Sequence, residues 1–257
     1  MTNQPTNQPT NQSAPHVRLD SLDTHSELVL DRPDQRNALT PDMLVAMATL
    51  IEQHAHRRVP LLLRGAGKCL CAGFDLSMCK GDDGDAVLDS LLVGLDTVVR
   101  AMREHAMPVV VCAHGAAIAG GCALLGGGDV VVTNQDAKLG YPVVTLGISP
   151  AVSVPFMRLA AGDGTARTRT LDPKIITGRA AREAGLAHEC EVDAERALAR
   201  SREIVADLAA KPAGALIATK RWLNEITGPV SHAGIDTSRE LVASAEQREL
   251  LPRAWSR

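Results

Sequence analysis

Aromatic residues are nearly missing from this chain. One Tyr, two Trp and two Phe make up 2% of 257 residues, which excludes a surface of stacking platforms for single-stranded bases. The core therefore has to be built from Ala, Val, Leu and Ile. No excess of one charge stands out either. The chain carries 27 basic and 30 acidic residues, a net charge of −3, so neither a disordered acidic chain nor a strongly basic nucleic-acid binder fits. Long apolar runs are lacking too. The nearest, Pro108–Ala119, is broken by His114 and Gly115 and falls short of the ~20 residues a bilayer span needs. The first residues contain no basic segment followed by an apolar one, so no secretory signal is expected. Cysteines number six (Cys69, Cys71, Cys79, Cys112, Cys122 and Cys190), with no CxxC pair and no adjoining histidine set. They read as reduced thiols of a cytoplasmic protein, and no metal site is expected. The expectation is a cytoplasmic protein with no membrane and no nucleic-acid partner.

What is present begins with TNQPTNQPTNQ at residues 2–12, a polar four-residue repeat that contains nothing to bury. Residues 1–13 are accordingly expected to form a disordered tail. From residue 14 to 195, strands and helices alternate. Val17–Leu19, Glu27–Leu30, Pro60–Leu63, Cys69–Ala72, Val109–Ala113 and Val130–Thr133 read as strands. Thr40 precedes Pro41, the signature of a capped helix start. Met43, Leu44, Met47, Leu50 and Ile51 then fall on a single helical face, with the helix reaching about His56. Val87–Glu104 reads as a second amphipathic helix and Gly120–Leu125 as a short one made of small residues. Ala160–Arg169 looks short and irregular. From residue 196 to 257 the strands stop, and Ala194–Ala210, Ala213–Glu225 and Ile235–Gln247 read as helices. The fold class is α/β, with a helical end piece.

Two turns stand out chemically. At Cys71-Ala72-Gly73-Phe74-Asp75-Leu76 a strand ends in a tight turn before a helical segment, and at Gly115–Leu124 a buried strand runs into a Gly-Gly helix start. Helix starts leave backbone N–H groups free. Two such turns side by side can aim two donors at one carbonyl oxygen, an oxyanion hole. A Gly-Gly start is also a common device for close packing.

The runs LDRPDQRNALT (Leu30–Thr40), CAGFDL (Cys71–Leu76) and HGAAIAGGCALLGGGDVVVTNQDAKLGYPVVTLGISP (His114–Pro150) resemble the crotonase, or enoyl-CoA hydratase/isomerase, superfamily, and the likeness runs over about residues 17–225. The resemblance implies a crotonase-type spiral of strand–strand–helix turns with a C-terminal helical trimerisation region. It also implies homotrimers or hexamers and acyl-coenzyme A thioesters as substrates, with no cofactor beyond the coenzyme A of the substrate. Carried over, the peptide N–H groups of Phe74 and Gly120 would form the oxyanion hole. Arg36, Ala38, Ala72 and Leu76 would border the coenzyme A channel, with Gly121 beside the hole. Asp75 would brace its turn by accepting N–H bonds, and Asp129 would be structural.

The chain departs from that pattern at its acids. The two glutamates that place water in the family's hydratases align with Ala123 and Val143, and the further acid of its dienoyl isomerases aligns with Ala151. None of the three can move a proton. Tyr141 becomes the candidate proton donor, packing being the alternative. Cys122, Ser149, Ser153, His114, Asp82, Asp83 and Asp85 read as structural or solvated. Lys220 and Arg221 are the cations left for coenzyme A phosphates. The expectation is an acyl-CoA-processing enzyme of lyase, isomerase or decarboxylase type, with a non-catalytic acyl-CoA-binding relative as the alternative.

Overall fold

The computed structural model describes residues 12–256 except 15 and 229. Seven strands form the main sheet. β1 (Gln12–Ala14), β2 (Val17–Ser21) and β3 (Ser26–Leu30) pair antiparallel; β4 (Leu61–Gly65), β5 (Val109–Ala113), β7 (Val130–Asn134) and β10 (Glu189–Glu191) extend the sheet from β3 in parallel. A smaller sheet holds β6 (Ala116–Ile118), β8 (Lys138–Gly140) and β9 (Ile176–Thr177) in the order β6-β8-β9. The polar tail expected over residues 1–13 ends sooner, because Gln12 and Ser13 pair with Leu19 and Arg18. The remainder of that tail lies outside the described residues.

The strand pleat explains how the sheet is covered. Successive side chains point to opposite faces. Leu61, Leu63, Val109 and Val111 enter the main core under α1 (Pro41–His54) and α2 (Gly84–Glu104). Leu62, Val110, Cys112 and Val132 face the other way and meet Ala197, Ile204 and Val205 of α6 (Ala194–Ala209). Helix α6 thus belongs to the sheet, and the separate helical end begins after it. α1 starts as its sequence dictates: Thr40 Oγ1 accepts from the Met43 N–H at 3.2 Å with Pro41 in the first turn, a cap of about 1 kcal/mol.

Two expectations are corrected. Ala160–Arg169 is helical, part of α4 (Val154–Leu171), and the irregularity is a break at Gly162, whose φ of +78° is open to glycine. The last expected helix is two, α8 (Ala233–Arg239) and α9 (Ala245–Leu250), because the Ser244 side chain accepts from the Gln247 N–H and starts a new helix. Before them come α3 (Gly120–Ala123), α5 (Gly178–Glu183) and α7 (Ala213–Thr227). Among the described residues no helix is long and apolar enough to cross a membrane.

Candidate active site

The two turns singled out in the sequence lie side by side. Cys71 N–H donates to Ala116 O, and Ile118 N–H donates back to Cys71 O, both at 3.1 Å. Small residues make this approach possible. A Cβ on Gly121 would stand 2.5 Å from Cys71 O, and one on Gly73 (φ +101°) 3.0 Å from Ile118 O.

The direction of the two N–H groups follows from peptide planarity. Gly73 O accepts from the Leu39 N–H at 2.8 Å. In the same trans peptide the Phe74 N–H must point the opposite way, away from Leu39. Ala119 O accepts from the Ala123 N–H at 2.9 Å, along α3, so the Gly120 N–H of that peptide points out of the helix start. Among the described residues neither N–H has an acceptor. Ala119 reaches this arrangement with φ +52° and ψ −114°, a backbone state that costs a non-glycine residue about 1–3 kcal/mol. Such strain persists only where the surroundings over-determine it. The Phe74 ring lies against Gly120, 3.0 Å from where a Cβ would stand.

The segment Arg32–Leu39 braces the first turn. Arg36 and Asn37 both have left-handed backbones (φ +52° and +54°). This turns the fully buried Asn37 amide inward, where it donates to Ala66 O and Cys69 O, both at 2.9 Å, and accepts from the Arg32 N–H. Ala72 N–H donates to Arg36 O at 3.0 Å, and Arg32 donates to both Ala38 O and the Asp75 carboxylate. Arg36 itself is exposed at the edge of the turn. Asp75 accepts from the Ser77 N–H and hydroxyl, the cap of a short 3-10 turn from Leu76 to Cys79. Burial acts to raise its pKa, but the bonds from Ser77 and Arg32 outweigh it and hold the carboxyl below its ordinary value. Leu76 O accepts from the Trp255 indole N–H at 2.8 Å. Arg36, Ala38, Ala72, Phe74, Asp75, Leu76, Gly120 and Gly121 are therefore gathered around one place.

Two candidates are placed differently. Tyr141 is 4% exposed, and its hydroxyl donates to Cys122 O at 2.9 Å. Burial pushes its pKa well up. It clamps the α3 backbone as a packing residue, with its proton already committed, and is not placed as a proton donor. Lys220 is 6% exposed and holds Asp129 (2.6 Å), Met107 O (3.2 Å) and Met102 O (3.3 Å). All three ammonium donors are used inside the protein, so it is not a phosphate ligand. Sequence reasoning missed this role, because the pairing of residues 129 and 220 leaves no local signal.

The three positions where the resemblance led us to expect acids, Ala123, Val143 and Ala151, are apolar in space as in sequence. Ala123 is 2% exposed, and Val143 and Ala151 are half-buried. The polar groups singled out around them are engaged elsewhere or exposed. Cys122 is buried with its thiol pushed up to about 11 by desolvation. His114 faces the carbonyls of Cys112 and Gly67. Asp82 and Asp83 are exposed, and Asp85 pairs with Arg248. Ser153 is buried at the start of α4.

Comparison with known proteins places this arrangement. The sequence profile of the family described as enoyl-CoA hydratase/isomerase matches residues 25–250. The 2,3-dehydroadipyl-CoA hydratase of Escherichia coli K12 is 28% identical over 227 residues, covering 86% of this chain and 88% of the relative. Among solved structures, an enoyl-CoA hydratase/isomerase from Xanthobacter autotrophicus Py2 superposes with a TM-score of 0.84 at 21% identity, over 94% of this chain and 93% of that one. Pseudomonas aeruginosa AtuE superposes with a TM-score of 0.76 at 28% identity, over 91% and 94%. The spiral architecture is that of these neighbours.

Proposed function

This chain belongs to the enoyl-CoA hydratase/isomerase family, and on that premise we propose that it processes an acyl-CoA thioester through an enolate held by the peptide N–H groups of Phe74 and Gly120. The observation that carries this reading is the pair of free donors on two turns that hydrogen-bond to each other. A thioester oxygen gains negative charge as the α-carbon loses a proton or a carboxylate. Donors fixed beforehand stabilise that charge without reorganising, and deleting one such donor costs roughly 10²–10³ in rate. Strain at Ala119 and the buried brace of Asn37 fit a site preorganised before its ligand arrives. The exposed guanidinium of Arg36, beside Ala72, takes over the role expected of Lys220 toward coenzyme A phosphates.

Alanine and valine at positions 123 and 143 argue against glutamate-assisted hydration. They favour chemistry that rests mainly on the enolate, such as decarboxylation, carbon–carbon cleavage or isomerisation, of lyase or isomerase type. The same apolar stations favour the second reading, a non-catalytic acyl-CoA-binding relative or auxiliary subunit of a mixed oligomer. Incubation with a panel of acyl-CoA thioesters in heavy water, read by mass spectrometry, separates the two. The enzyme exchanges the α-proton, and Gly120→Pro, which deletes one donor and also sets a Cβ 3.0 Å from the Phe74 ring, slows exchange by roughly 10²-fold or more. A thioester that binds without exchange and without other turnover establishes the binding relative.

Assembly and location belong to the same proposal. Helix α7 exposes Trp222, Leu223 and Ile226 at 61%, 53% and 60%, an apolar face suited to a homotrimer or paired trimers in the cytoplasm. Sedimentation of the native chain and of Trp222→Glu, which would dissociate, checks it.

A further inference from the structure

A cavity of about 540 Å³ lies between the end of α2, α4, α7 and the segment that joins α7 to α8. Its volume is that of a small-molecule site. None of Arg36, Phe74, Gly120, Ala123 or Val143 borders it, so it is separate from the two turns. It is also separate from the exposed apolar face of α7. The cavity meets that helix at Ile217, Arg221 and Asn224. Trp222 and Ile226 each stand two residues from Asn224, and so about half a turn away around the helix.

Cations crowd this cavity, and all but one are engaged. Arg100 donates to Asp96 at 2.7 Å and to the carbonyls of Val230 and Ser231, both at 2.9 Å. Lys220 spends its ammonium on Asp129 and two carbonyls. Arg221 has Glu225 at 3.6 Å, and His232 has Asp96 at 3.8 Å. Arg103 is the exception. It is half-buried in the last turn of α2, where its backbone carbonyl accepts from the Asn224 side chain at 3.1 Å. Among the described residues its guanidinium has neither a carboxylate partner nor a hydrogen-bond acceptor. Its charge is felt nearby: burial lowers the Lys220 pKa first, Asp129 opposes that, and the charge of Arg103 lowers it again. A guanidinium stays ionised and keeps five donors to place, so partial burial without a partner carries a cost that a bound anion would offset. The rest of the wall is apolar at Phe156, Ile217 and Val230. The Phe156 ring is fixed against the Arg100 guanidinium, which lies 5.7 Å from its centroid.

We infer that this cavity is a second ligand site, for a carboxylate on an apolar body of several carbons, with Arg103 holding the carboxylate and Phe156, Ile217 and Val230 the body. The planar fork of one guanidinium matches one carboxylate through two parallel hydrogen bonds. A phosphate dianion would bring a second negative charge toward Glu104 and Glu225, which border the same cavity, with no second free cation to meet it. Such a ligand joins α2 to α7 away from the two turns, and the inference does not depend on the thioester reading.

Calorimetric titration of the full chain with octanoate, acetate, octylammonium and inorganic phosphate, with and without saturating coenzyme A, tests it. Octanoate is expected to bind at least about tenfold more tightly than acetate, since it buries six further carbons, and octylammonium is expected not to bind. Arg103→Gln should weaken octanoate about tenfold or more. Ile217→Trp, which fills the cavity and leaves the charge in place, should weaken it as well, and decides the matter if the first variant does not fold. Octanoate binding that neither variant changes overturns the site. Tighter binding of phosphate than of octanoate overturns its ligand class. Displacement of octanoate by coenzyme A overturns it too, by making the cavity part of the thioester site. No octanoate binding, with sedimentation altered in Arg103→Gln, would give the guanidinium to a carboxylate of a second copy of the chain and again overturn the inference. The α-proton exchange that tests the thioester reading is a separate measurement, so either reading can fail alone.

Discussion

The two turns of the site and the helical end of the chain are held in opposite ways. The turns at residues 71–76 and 114–123 are joined backbone to backbone, at distances where an added methyl would collide. The end piece is tied down by side chains. Lys220 reaches three acceptors, Arg100 reaches the carbonyls of Val230 and Ser231, Arg248 reaches Asp85, and Trp255 reaches Leu76 O. Backbone joints fix direction to a fraction of an ångström because the peptide is planar. Long charged side chains fix position loosely and lose rotamer entropy in doing so. The first kind of joint suits donors that must meet a developing charge, and the second suits a segment that only has to be held against the body.

Four changes would break or sharpen this contrast. The largest effect is expected from Gly121→Val. The new side chain meets the Cys71 backbone, so the variant should lose about 3 kcal/mol in urea denaturation and all thioester binding. Retained binding would mean that the turns are not rigidly joined. Next comes Lys220→Met, which removes the ammonium from Asp129 and from the carbonyls of Met102 and Met107, leaving Asp129 with only the Val109 N–H and Met107 O with only the His105 ring. A loss of about 2–4 kcal/mol is expected, with α7 protecting its amides from hydrogen exchange less than α6 does. A uniform loss across both helices would show one cooperative unit instead.

A third test acts where the two regions meet. Met107 O accepts from both Lys220 Nζ and the His105 ring. With His105 Nδ1 donating there, its Nε2 is left to accept from His54 Nδ1 at 3.0 Å, and the rings stack at 5.0 Å. That leaves His54 Nε2 a bare acceptor with no partner. Burial first, and the neighbouring His105 and Arg57 after it, lower the His54 pKa to about 3. A depressed histidine pKa means that the unfolded chain binds the proton first. The stability it contributes is complete above about pH 6.5 and is lost as pH falls from there toward 3. At pH 5.5 the loss from His54 is about 1.4 kcal/mol. Denaturation midpoints at pH 7.5 and 5.5 should therefore differ less in His54→Leu than in the native chain, and an unchanged difference would remove His54 from the account. The smallest effect is expected from Tyr141→Phe, which removes one hydrogen bond, worth about 1 kcal/mol. α-Proton exchange should persist in this variant. Its disappearance would restore Tyr141 as the proton donor and put the clamp in question.

Much of the fold was legible because local chemistry wrote it. Thr40-Pro41 started α1, the apolar run Val109–Ala113 made the central strand, and alternate residues of that strand sorted to its two faces. Boundaries failed where a single residue decided them against the local pattern. Gly162 breaks α4 and Ser244 divides the last helices. Short strands such as Ile176–Thr177 carry too few residues to show a period. Within the site, the glycines and the apolar residues at 123, 143 and 151 could be read directly. The commitments of Tyr141 and Lys220 could not, since their partners lie 19 and 91 residues away.

The sequence by itself determined the α/β order, the two glycine-bearing turns, the apolar residues at 123, 143 and 151, and the family that these motifs identify. Those properties live in residue type and short-range spacing, which the chain carries whether folded or not. Only the tertiary structure decided which N–H groups are free, which hydroxyl and ammonium groups are already spent, and which guanidinium borders a cavity without a partner among the described residues. A hydrogen bond is a pairwise matter of distance and direction, and its partners are chosen by packing, not by proximity along the chain.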